Sequence, residues 1–212
     1  VLEWLRFPTD EARKWMLTPT LSDGLTIPHE VGREFRKVIA DNLRGRNGPA
    51  IDFTPSESAT LAQKWPRNGE YPGVAEYFQA FNAEMLADYR RAVEGYGQAL
   101  ALAPDLAAAH GRRGVLRASQ PSLESAGQGS SLDSRRSDSA PALDDLLAAL
   151  SAFPAGPGLL DAALIAAREG GNREKLERLF RLYPASFSRS QRWYSRWRLA
   201  NVSGNREEAW QL

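Results

Sequence analysis

Residues 88–105 read Asp-Tyr-Arg-Arg-Ala-Val-Glu-Gly-Tyr-Gly-Gln-Ala-Leu-Ala-Leu-Ala-Pro-Asp, and their spacing restricts the fold more than any other stretch of the chain. Ala92 and Ala99 fall on one helical face, where a larger side chain would push a neighbouring helix away. Tyr96 fills the gap between them, and Pro104 stops the helix so that the chain can reverse. A helical hairpin of this kind cannot bury its apolar face alone, so further hairpins are expected.

The same register recurs downstream. Gly114 is small where the next first helix needs a small residue. Ala142, Leu146, Ala149 and Pro154 reproduce the offsets of Ala92, Tyr96, Ala99 and Pro104 at a separation of 50, which is one period of 34 plus 16 inserted residues. Another 34 residues reach Leu176, with Gly171 before it and Phe180 after it. A further 33 reach Ala209, with Gly204 and Trp193 before it. A Gly-Asn-Arg-Glu turn stands at 171–174 and again at 204–207. Residues 119–141 hold eight serines and few apolar side chains, too little to offset the entropy of ordering, and are expected to form a flexible insertion.

This pattern resembles the tetratricopeptide (TPR) repeat family over residues 73–212. The resemblance implies an all-α chain, a right-handed α-α superhelix of about 3.5 degenerate repeats. The expected repeats are 73–106, 107–156 with the insertion 119–141, 157–189, and 190–212, which the chain end cuts short. Leu176 replaces the family's alanine, Pro184 arrives early enough to shorten the third repeat, and Trp197 stands where the family has glycine or alanine. The family holds peptides in a concave groove lined by first helices. Carried over position by position, the groove candidates are Tyr77, Phe81, Glu84, Val115, Asp161, Ile165, Arg168, Tyr194, Arg198 and Asn201. They run from aromatic to basic, which suits a protein or peptide partner with an acidic end. The resemblance therefore implies a protein-interaction or scaffold module.

Residues 1–72 lack the period and are expected to form an irregular helical cap over the first repeat, or the tail of a preceding domain. Thr9 caps an expected helix over 10–17. Pro28 opens a better one that runs to about Leu43 before Gly45, and Thr54-Pro55-Ser56-Glu57 starts another that reaches about Trp65. Arginine outnumbers lysine by 23 to 4, a bias that suggests a GC-rich bacterial genome. No apolar run approaches the roughly 20 residues that span a bilayer, so a soluble domain is expected. The sequence leaves its compartment open between bacterial cytoplasm and periplasm. The chain starts at Val1 and stops inside an apparent helix, so it reads as a piece of something longer. The C-terminal region of a larger enzyme, with its catalytic domain before residue 1, is thus an alternative reading.

The residues argue against chemistry in this stretch. There is no cysteine, and only His29 and His110 are available to a metal. His29-Glu30 lacks the second histidine of a zinc-protease helix, since residue 33 is Arg33. His110 falls at a position usually given to packing, so a core or inter-helix role is expected of it. Acidic pairs such as Asp144-Asp145 read as solvated surface, and no catalytic residue, cofactor site or metal site can be named. The one concentrated patch is 189–198, where Arg189, Arg192 and Arg196 form a basic stripe beside Trp193, Tyr194 and Trp197. Nucleic-acid binding is a second alternative there. Against it, Trp193 occupies the packing aromatic of the repeat, and arginine stems cover apolar surface.

Overall fold

The computed structural model describes residues 29–46, 53–65, 71–120, 132–154, 158–170, 172–205 and 207. Among these residues every regular element is an α-helix. The chain divides into two compact units, 1–109 and 110–212, and the division falls inside one helix. The helix expected over 10–17 lies outside the described residues.

In the first unit α1 (His29–Leu43) ends where Gly45 adopts φ 76°, with the Arg46 amide donating to the Asp41 carbonyl at 2.9 Å. That left-handed stop is the one the sequence predicts after Leu43. α2 (Pro55–Lys64) opens on a proline, whose missing N–H costs nothing in a first turn. It buries Leu61 and Ala62, and Ser58 donates its hydroxyl to the Phe78 carbonyl at 3.3 Å. α3 (Val74–Met85) and α4 (Tyr89–Leu102) form the hairpin expected from the 88–105 spacing. Ala92, Tyr96 and Ala99 are fully buried, and a Cβ on Gly95 would sit 2.9 Å from the Ala80 Cβ. Small residues on both helices therefore set the closeness of the crossing. The Tyr96 hydroxyl donates to Glu84 at 2.6 Å, so the buried ring keeps its polar tip satisfied.

α5 (Ala107–Ser119) begins in the first unit and continues in the second. α6 (Leu132–Ala152) packs on it. A Cβ on Gly114 would lie 2.7 Å from Leu146 Cγ and 3.1 Å from the Ala142 carbonyl. Here the expectation of a flexible 119–141 needs correction: the backbone is already helical from Leu132, with Pro141 inside the helix. Pro141 cannot donate to the Ser137 carbonyl, so one helical bond is forgone there. The other residues extend a helix already fixed over 142–152 without a new nucleus, which offsets serine's weak propensity. The middle of the insertion lies outside the described residues.

α7 (Leu159–Glu169) follows Gly158, which takes φ 74°. α8 (Arg173–Leu182) is capped by Asn172, whose side chain accepts from the Lys175 amide at 3.0 Å. It spans 10 residues against 14 for α4, the shortening that Pro184 predicts. α9 (Arg189–Val202) starts with a capping box between Ser188 and Gln191. Leu143, Leu146, Leu164, Leu176, Leu179, Phe180 and Leu199 form the core of this unit. Leu176 is fully buried.

Candidate interaction surface

Three of the groove candidates are used up by their own neighbours. Tyr77 and Phe81 are buried at 5% and 3% exposure, stacked on each other with ring centroids 6.2 Å apart, and Tyr77 also meets Tyr96 at 5.6 Å. Glu84 accepts the Tyr96 hydroxyl. In the second unit Val115 packs against the core. An aromatic groove wall at Tyr77 and Phe81 is thus corrected to core. Register assigns a residue to a helix face, but the elements covering that face decide its exposure.

The remaining six gather on two adjacent helices. Ile165 on α7 is 40% exposed and Tyr194 on α9 is 45% exposed, with Asp161 and Asn201 also open to solvent. The Arg168 guanidinium lies 5.3 Å from the centre of the Tyr194 ring. Trp197 is stacked against Tyr194 at 5.9 Å and against Trp193 at 6.3 Å, so an aromatic ridge runs along α9. Arg198 donates to both oxygens of Glu169, at 3.2 and 3.0 Å, and Arg168 donates to the first at 3.0 Å. Partial burial pushes the Glu169 carboxyl up, but the hydrogen bonds and charges of the two arginines outweigh it and hold it below its usual range. Sequence reasoning missed Glu169, because adjacency to Arg168 gave no sign that Arg198 would reach it.

Two sequence readings of α9 change. Trp193 is not the packing aromatic, since it is 48% exposed. The inward small residue is Ser195, at 1%, with Leu199 and Ala200 beside it. An indole cannot fit at a close helix crossing, so α9 turns Ser195 inward and leaves Trp197 half-buried on its flank. The basic stripe also loses two of its three members to structure. Arg196 holds Glu177 in a two-pronged pair at 2.7 Å and lies over Phe180, while Arg192 donates to the Phe187 carbonyl at 3.2 Å and to the Pro184 carbonyl. Arg189 is exposed.

A second constellation stands on α5 and α6. Asp145 is 4% exposed and accepts from Arg113 at 2.8 and 2.7 Å, from Arg117 at 3.0 Å, and pairs with His110 Nδ1 at 2.8 Å. Burial raises its carboxyl pKa, but the hydrogen bonds from His110 and Arg113 prevail and leave it below the ordinary value. The expected inter-helix role of His110 is seen here. Reading Asp144-Asp145 as solvated surface holds for Asp144, an exposed partner of Lys175, and fails for Asp145. Adjacent helical residues point about 100° apart, which separates the two environments. The signal available in the sequence was the spacing of His110, Arg113 and Arg117 on one face of α5.

Among the described residues no group of His, Cys, Asp and Glu could hold a metal ion, and no helix is long and apolar enough to cross a membrane. Comparison of the chain with protein-family models, with curated proteins and with solved structures finds no match.

Proposed function

We propose that this chain is a protein-interaction module of TPR-like helical hairpins, and that the α7/α9 face of its second unit docks a peptide segment of a partner. The repeat reading is supported by two equivalent close crossings. Ala80 meets Gly95 in α3/α4, and 34 residues on from Ala80, Gly114 meets Ala142 and Leu146 in α5/α6.

The observation that carries the docking proposal is the exposure of Trp193, Tyr194 and Ile165 on neighbouring helices. Large aromatic side chains left open beside arginines are the composition that dominates binding energy at protein interfaces. The partner segment presents an apolar anchor next to a carboxylate. Charge complementarity supports this choice, because Arg168 and Arg198 share the single carboxylate of Glu169. Residues 110–212 as a whole carry 15 arginines and lysines against 11 acidic residues.

The test is selection of a phage-displayed random peptide library on the purified chain, followed by fluorescence polarisation of the enriched peptides. Tyr194→Ala and Ile165→Glu are each expected to weaken binding at least about tenfold with helicity unchanged. An empty selection, or peptides indifferent to both substitutions, would refute the proposal.

A further inference from the structure

We infer that Glu169 is an internal stand-in for the partner's carboxylate, and that an incoming acidic side chain replaces it on Arg198. The exchange rests on the docking reading above and adds a residue that sets which partners the face accepts. Arg198 offers its Nε and Nη2 as a parallel fork, and Glu169 occupies both prongs. Arg168, while bonded to the same carboxylate, lies over the Tyr194 ring. The carboxylate that satisfies both cations therefore lies beside the exposed aromatic where an apolar anchor would land.

Glu169 is only partly buried and the Arg198 side chain is 43% exposed, so solvent and ligand can reach the pair. The exchange replaces one two-pronged carboxylate–guanidinium pair by another of the same kind, so its net cost is small. A neutral ligand gains nothing by displacing Glu169. A ligand with a carboxylate near its anchor takes over the fork, and Glu169 is then released to water on the rim. The internal acid thus weakens every acidic ligand by competition, while a neutral ligand, which leaves the pair in place, is neither helped nor opposed by it.

The experiment uses the peptide selected above and its twin in which each Asp or Glu is replaced by Asn or Gln. Both are titrated by fluorescence polarisation into the unmodified chain, Glu169→Gln and Arg198→Gln. Glu169→Gln is expected to tighten the acidic peptide about tenfold and to leave the amide twin within about twofold. Arg198→Gln is expected to make the two peptides bind alike. Equal or weaker binding of the acidic peptide to Glu169→Gln would overturn the exchange, as would selected peptides that need no acidic residue. Either result leaves the docking face standing if Tyr194→Ala still abolishes binding. Indifference to Tyr194→Ala, or an empty selection, removes both. Thermal melts of each variant separate a folding defect from an altered face, and a Glu169→Gln variant that tightens no peptide while melting normally also counts against the exchange.

Discussion

Asp145 owes its state to the company it keeps rather than to its place in the sequence. A carboxylate this buried is costly unless its lone pairs are filled, and three side chains of α5 fill them. Asp145→Asn removes the buried charge that faces Arg113 and Arg117, so a loss of about 3–5 kcal/mol is expected in urea denaturation at neutral pH. Asp144→Asn, at an exposed pair, is expected to change stability by less than about 0.5 kcal/mol. The pH dependence follows from the lowered folded-state pKa of Asp145. Its contribution is complete above the unfolded value of about 3.9 and is lost as pH falls through the folded value. The gap between the unmodified chain and Asp145→Asn should therefore be constant above about pH 5 and begin to narrow as pH falls below about 3.9, and a gap that did not narrow there would contradict the assignment. Ser195 is the opposite case. Its hydroxyl is buried without a hydrogen-bond partner. Ser195→Ala is expected to stabilise by about 1 kcal/mol in the same titration, since it deletes an unsatisfied group and improves helix propensity.

Elements were the level at which the sequence was most informative, for reasons that differ from helix to helix. α2 carries a proline start and α1 a glycine stop, local signals that need no tertiary context. α3 and α4 were legible through alanine spacing, because close crossings tolerate few residue types. α9 was misread, since its register was inferred from period alone and the bulk of Trp197 rules that register out. α6 was read too short, because low intrinsic propensity hid an extension that packing makes cheap. The crossing at Gly114 allows a clean test. Gly114→Ala places a methyl against Leu146 and is expected to cost about 1–3 kcal/mol by overpacking. Gly158→Ala meets open space, and its smaller cost of about 1 kcal/mol comes from φ 74° alone. Gly114→Ala without measurable effect on the melting temperature would mean the two helices do not approach so closely.

At the scale of the molecule, the all-helical class was legible and the exposed candidate surface was only half so. Hydrophobic period and caps are properties of a segment. Exposure is a property of what lies over it, and that is why Tyr77 and Phe81 moved into the core while Tyr194 stayed open. The same distinction separates the two arginine groups of α9. Arg192 and Arg196 reach back to the α8–α9 turn and to α8, and Arg198 faces Glu169 at the surface. The nucleic-acid reading joined Arg189, Arg192 and Arg196 into one stripe by spacing, and the structure commits Arg192 and Arg196 by contact while Arg189 stays exposed.

The Asp145 cluster also bears on how this chain can vary. Its donors lie 28 to 35 residues earlier in the sequence, and the Gly114 crossing sits beside them, so α5 and α6 are fastened at their middles. A hairpin held there does not depend on its turn for register. Because loop closure costs only about 0.6 kcal/mol for each doubling of length, ten extra Gly/Ser residues placed after Gly127 should lower stability by less than about 1 kcal/mol and leave the effect of Asp145→Asn intact. The stretch between these helices is therefore a splice point. A passenger segment could be carried there, changed in length or exchanged altogether, while the surface displayed by α7 and α9 stays as it is.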